Sequence, residues 1–100
     1  MTHFHVRPAV ARDIALLPDI EREAAARFPP QDLPAGPAQV TSVAALREGM
    51  DDHALWVAEA QGGRLLGFLL GRAEEGSFHI LEMDVRTSEA GRGIGSALLQ

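Results

Sequence analysis

The residues with the most chemical promise lie between positions 83 and 99. Met83-Asp84-Val85 reads as strand and Arg86-Thr87-Ser88-Glu89-Ala90 as a connecting loop. Gly91-Arg92-Gly93-Ile94-Gly95-Ser96 is a glycine-rich turn that runs into the apolar Ala97-Leu98-Leu99. A strand, a glycine turn and the opening of a helix make an anion cradle. Glycines let the main chain come close, successive N–H groups point inward, and the helix start carries roughly half a positive charge. The ligand chemistry that suits such a cradle is a phosphate or a diphosphate.

Spacing narrows the choice. A nucleotide-binding Gly-x4-Gly-Lys-Ser/Thr loop is impossible, because all nine basic residues are Arg. A dinucleotide fingerprint counted from Gly91 needs Gly where Ser96 stands, and counted from Gly93 it needs Gly where Leu98 stands. That fingerprint also belongs near the start of a parallel βαβ unit. The remaining readings are a different phosphate ligand, or an unrelated α+β domain whose glycine turn is purely structural.

The elements that must position this turn follow from pattern. His3 to Arg7 alternates and stops at Pro8, which predicts a short first strand. Asp13 opens a helical spacing through Ile14, Leu17, Ile20, Ala24 and Phe28, with Pro18 predicting a restart rather than a continuous helix. The stretch from Pro29 to Thr41 is proline-rich and aperiodic, as a loop. Ser42 predicts the N-cap of a short helix through Leu46, closed by Gly49. Leu55–Ala60, the turn Gln61-Gly62-Gly63-Arg64, Leu65–Ala73, the turn Glu75-Gly76 and Phe78–Val85 then predict an antiparallel meander. Gly67 and Gly71 mark bulges or close backbone approach. Trp56 is a packing residue on this reading.

Composition excludes several classes. One hundred residues with 46% apolar and 23% charged side chains make one small globular domain. The absence of Cys removes disulfides, thiolate zinc sites and Cys nucleophiles, and a reducing cytoplasm is the default location. The start lacks the layout of a signal peptide. The longest apolar stretch, Leu65 to Leu70, falls far short of the ~20 residues that span a bilayer. A net charge of −5 disfavours nucleic acid and weakly favours cationic small molecules. His3-x-His5 lacks a third ligand, so no metal is expected. No Gly-x-Ser-x-Gly exists for a serine hydrolase.

Val85, the loop and Arg92-Gly93-Ile94-Gly95-Ser96-Ala97-Leu98-Leu99 resemble motif A of the GCN5-related N-acetyltransferases (GNAT), and the order of elements resembles that family over nearly the whole chain. The resemblance implies the α/β fold of the acyl-CoA N-acyltransferases, here its N-terminal half. That half comprises a strand, two helices, an antiparallel β-meander and the start of the motif A helix, in a single incomplete domain over residues 1–100. It implies transfer of an acetyl group from acetyl-CoA to a primary amine of a small molecule or peptide by direct attack, with no metal. The alternative is a non-catalytic acyl-CoA-binding or regulatory domain. Two departures stand out: the first position of the family signature falls on Ala90, and the family continues past this helix whereas the chain stops at Gln100. The expectation is a truncated, by itself inactive chain. Its last strand has a bare edge that invites self-association, so a homodimer is possible.

The resemblance also assigns roles. Main-chain groups of Met83, Asp84 and Val85 would hold the pantetheine arm. Gly91, Arg92, Gly93, Ile94, Gly95 and Ser96 would take the diphosphate. The family's base lies fourteen residues before Gly93, which is His79 (93 − 79 = 14), with an intrinsic pKa near ~6.5. Unbroken alternation would put His79, Leu81, Met83 and Val85 on one face and Ile80, Glu82 and Asp84 on the other. Glu82 is the second candidate base, and it needs a bulge to reach the same side. The family's acid is commonly a Tyr in its later half, and this chain has no Tyr. Phe28, Pro29, Pro30 and Asp32 would shape the acceptor side, with Glu21 and Glu23 either cation partners or a solvated helix face.

Overall fold

The computed structural model describes residues 3–25, 41–89 and 93–99. Strand β1 (Phe4–Pro8) ends where proline removes a donor, and a 3-10 helix (Ala11–Leu16) leads into helix α1 (Leu17–Ala25). Pro18 therefore sits in the first turn of α1, where its missing N–H is no loss, and the predicted restart is what forms. Phe28 and the loop residues Pro29, Pro30 and Asp32 lie outside the described residues.

Helix α2 (Val43–Asp51) begins at Ser42, whose hydroxyl accepts the Ala45 N–H at 3.1 Å. It does not close at Gly49 as the sequence predicts. Gly49 is buried, and a Cβ there would run into the Leu70 side chain. The glycine lets the helix lie close on the sheet rather than ending it, and Asp52 caps the helix three residues later.

Strands β2 (Leu55–Ala60), β3 (Leu65–Glu74) and β4 (Ser77–Val85) complete a four-stranded antiparallel sheet in the order β1-β2-β3-β4. Both predicted turns form, with Gly62, Gly63, Glu75 and Gly76 at positive φ. A short 3-10 turn (Thr87–Glu89) and helix α3 (Ile94–Leu98) follow β4.

Apolar side chains cover both sheet faces. Ile14, Leu17, Ile20 and Leu46 pack on Leu55, Val57, Leu65, Phe68 and Leu70, so α1 and α2 cover one face. Ile94 and Leu98 of α3 pack on Ala58, Leu66 and Leu69 on the other face, where Trp56, Val6 and Val85 join them. Trp56 is thus a packing residue, as its sequence context implies. Among the described residues no helix is long and apolar enough to cross a membrane.

Two register shifts interrupt the ladders. Glu59 pairs with Leu65 while Ala58 pairs with Gly67, which leaves Leu66 inserted in β3. Leu70 pairs with Glu82 while Gly71 pairs with Ile80, which leaves Leu81 inserted in β4. Gly67 marks a close approach: a Cβ there would stand 2.7 Å from the Asp84 carbonyl oxygen.

Candidate functional site

Strand β4 is the backbone of the site. Arg86 donates its main-chain N–H inward to the Leu66 carbonyl at 2.8 Å. Main-chain groups alternate along an antiparallel ladder, so those of Met83 and Val85 turn outward. That outer side is an open sheet edge among the described residues, since β4 pairs with β3 alone. Of the three residues expected to hold an extended ligand through main chain, Met83 and Val85 thus turn to a free edge, whereas the main chain of Asp84 faces β3.

The bulge at Leu81 corrects the expected alternation. Glu82 and Asp84 stand opposite Leu70 and Phe68, on the face covered by α1 and α2. His79 stands opposite Arg72, two residues beyond Leu70 along β3, and so shares that face. Met83 and Val85 stand opposite Leu69 and Gly67, on the α3 face with Ile80 and Phe78. An extra residue shifts every later side chain to the opposite face. His79 and Glu82, predicted to point apart, thus point the same way.

Glu82 and Asp84 meet Glu21 of α1, with one carboxylate oxygen from each of the three within 4.8 Å of the others. Burial pushes the Asp84 carboxyl up to about 8, helped by its hydrogen bond with Glu82 and by the charges of Glu82 and Glu21. Asp84 Oδ2 is buried without a hydrogen-bond partner among the described residues. Glu21 is also buried, and both its oxygens accept the Thr41 N–H, at 2.9 and 3.0 Å.

Glu21 and Glu23 are therefore neither a solvated helix face nor free cation partners. Glu23 reaches across to the loop after β4. It accepts the Thr87 N–H at 2.6 Å and the Arg86 guanidinium at 3.3 Å, while its carbonyl accepts the Thr87 hydroxyl at 3.1 Å. Arg86 also donates to the Leu65 carbonyl at 2.7 Å. This clamp fixes the loop that leads to the glycine turn. Sequence reasoning missed it because the contacts join positions more than sixty residues apart.

Gly91, Arg92 and Ala90 lie outside the described residues. Gly93 caps α3 at φ 81° and ψ 7°, a left-handed conformation that favours glycine, and among the described residues nothing lies within 4 Å of where its Cβ would be. A Cβ on Gly95 would lie 3.7 Å from Met83 Cε, an ordinary contact. Ile94 anchors the helix in the core, whereas Ser96 is exposed. Gly93 is exposed, and open main chain at a helix start can receive an anion. His79 is more exposed, with Nε2 3.9 Å from Glu74 Oε2.

This chain matches a family model described as the Acetyltransferase (GNAT) family over residues 17–100. Its fold is similar to that of an Ard1 from Thermoplasma volcanium, with a TM-score of 0.73 at 18% identity over 96% of this chain and 58% of that one. It is similar to a GNAT family acetyltransferase from Brucella melitensis in complex with acetyl-CoA, with a TM-score of 0.67 at 24% identity over 97% and 64%. A third similar structure carries the description histone acetyltransferase HPA2 and related acetyltransferase from Corynebacterium glutamicum, with a TM-score of 0.63 at 23% identity over 99% and 68%. The chain thus spans less than two thirds of the length of the first two. A four-stranded antiparallel sheet sandwiched between α1–α2 and α3, together with a family match over residues 17–100, places this chain in the GNAT acetyltransferase family.

Proposed function

We propose that this chain binds acetyl-CoA along the outer edge of β4 and at the start of α3, and serves acetyl transfer to a primary amine. The observation that carries this reading is the course of β4. Its outward main chain at Met83 and Val85 leads through a clamped loop to a left-handed glycine with nothing packed over it. Family membership and a structural neighbour described in complex with acetyl-CoA support it.

Acetyl-CoA, when bound, supplies an acetyl thioester that an amine attacks directly. The chain's own residues have three tasks. Met83 and Val85 offer N–H and C=O groups to the amides of the pantetheine arm, as a neighbouring strand would. The main chain of Gly93, Ile94, Gly95 and Ser96 receives the diphosphate; Gly91 and Arg92, expected there from the sequence, lie outside the described residues. Glu82 accepts the proton that the amine gives up, since the bulge brings its carboxylate to the α1 side beside Asp84 and Glu21. His79 is the second candidate for that proton, on the same side and further along the strand. The acceptor amine belongs to a small molecule or a peptide. A non-catalytic acyl-CoA-binding role is the second reading, favoured by the exposure of His79.

Calorimetric titration with acetyl-CoA tests the first half. Binding is expected, weakened at least about tenfold by Gly93→Val, which strains the left-handed cap and crowds the cradle. Thiol release tests the second half with no background, because the chain has no Cys. With an amine panel, Glu82→Gln should lower the rate by about 10²-fold or more. Binding without thiol release would leave the second reading, and no binding sinks both.

A further inference from the structure

The start of the loop between β4 and α3 lacks a cap of its own. Its 3-10 turn (Thr87–Glu89) opens on the Thr87 N–H, and the first N–H groups of a helical turn find no partner inside it. Arg86 stands in the capping position, its carbonyl accepting the Glu89 N–H at 2.9 Å, and a guanidinium can only donate. A Ser, Thr, Asp or Asn there would supply the missing acceptor from within the loop. Here the acceptor comes from another element: Glu23 of α1, 64 residues away, takes the Thr87 N–H at 2.6 Å.

The same glutamate makes two further contacts, with Arg86 Nη1 at 3.3 Å and, through its carbonyl, with the Thr87 hydroxyl at 3.1 Å. Its charge is matched on the spot. The Arg86 guanidinium lies between Glu23 and the Leu65 carbonyl, with 19% of its side chain exposed. A lone carboxylate here would repel an anion bound further along the loop, whereas the ion pair adds no net charge. The far end of the segment is fixed as well. Ile94 is buried on the α3 face, and the Ala97 N–H donates to the Gly93 carbonyl at 3.0 Å. The stretch from Arg86 to Ile94 is thus anchored at both ends, by α1 at one and by the sheet at the other.

We infer that Glu23 is a positioning residue for the cofactor: it fixes the foot of this loop so that the Gly93 turn stands ready for a diphosphate. The inference rests on the acetyl-CoA site proposed above. A main-chain anion site binds well only when its amides are held before the ligand arrives, because ordering them on binding costs affinity. Glu23 acts through the loop and need not touch the ligand. Its effect therefore belongs to the diphosphate half alone. The pantetheine half lies along Met83 and Val85, which are held by their ladder to β3 and not by Glu23.

Two ligands separate these halves, since acetyl-CoA carries the diphosphate and S-acetylpantetheine lacks it. Binding of each to the full chain is read by NMR from amide shifts, which also report weak affinities. Glu23→Ala should weaken acetyl-CoA at least about tenfold and leave S-acetylpantetheine within about twofold. Glu23→Gln keeps an acceptor for the Thr87 N–H and should restore acetyl-CoA to within about threefold of the native chain. Thr87→Ala removes only an exposed hydroxyl contact, keeps the fold, and should weaken acetyl-CoA about threefold. In Glu23→Ala the Ala97 amide should exchange faster with solvent, while the Leu46 amide of α2 keeps its rate. Equal weakening of both ligands, no rescue by Gln, or unchanged exchange at Ala97 would each overturn the inference. A native chain that binds neither ligand would sink the proposed function instead, and exchange at Ala97 would still decide whether Glu23 holds the turn.

Discussion

At the scale of single residues, Asp84 is the most consequential side chain. Its carboxyl is raised from its ordinary value to about 8 by burial, by the Glu82 hydrogen bond and by neighbouring charge. The unfolded chain gives up this proton near pH 4 while the folded chain keeps it, so stability falls as pH rises from about 4 to about 8. Asp84→Asn removes that dependence and relieves a crowded acidic cluster. We expect it to be more stable than the native chain at pH 8 by about 1–3 kcal/mol, and no more stable at pH 4, in thermal melts at both values. Arg7 behaves oppositely. It donates to Asp13 at 2.8 and 3.1 Å and to Glu59 at 3.0 and 3.3 Å. Burial opposes the ionised Asp13, but the Arg7 hydrogen bonds, the Val10 N–H and the arginine charge hold its carboxyl below the usual range. The Arg7 hydrogen bond likewise lowers Glu59. These depressed carboxyls stabilise the fold above about pH 4, and that stabilisation is lost as pH falls further. Arg7→Ala strands Asp13, which is 2% exposed, and should cost about 3–5 kcal/mol in denaturant unfolding at pH 7.

Elements show which parts of the fold local chemistry reveals. Pro8, Pro18, Ser42, Gly62-Gly63 and Glu75-Gly76 punctuate the chain through their own φ preferences or hydroxyl, and the elements they bound all form. The glycine cap of α3 is legible for the same reason, since glycine spacing is a local property. Gly49 misled because glycine serves two purposes: freedom to end a helix, and room for a packed neighbour. Here Leu70 uses the room. The bulge at Leu81 is signalled only from the partner strand, by Gly71, because nothing in Ile80-Leu81-Glu82 departs from strand chemistry. The insertion is set by pairing with β3, where Gly71 lies under the Phe78 ring. Gly67 shows the same dependence on a partner. Ala at this position would press its methyl against the Asp84 carbonyl, which is main chain and has little room to yield. Gly67→Ala should cost about 1–3 kcal/mol and speed hydrogen exchange along β4 more than along β1.

For the whole molecule, a ligand that binds only the folded chain stabilises it by mass action. On the proposed reading, acetyl-CoA at a hundredfold excess over its dissociation constant should raise the unfolding free energy by about 2.7 kcal/mol. Denaturant unfolding with and without the ligand checks this, and Gly93→Val should lose most of the gain.

The Glu23 clamp carries one more consequence. Helix α1 holds Glu21 beside Asp84 and, one short step along, Glu23 on the Thr87 amide. Any tilt of that helix would carry the Thr87 loop with it, so on the proposed reading the acceptor side and the end of β4 are mechanically linked. The Thr87 proton is a natural gauge of it: its solvent exchange should quicken when Glu23 is shortened to Ala, and slow when either ligand stiffens the strut.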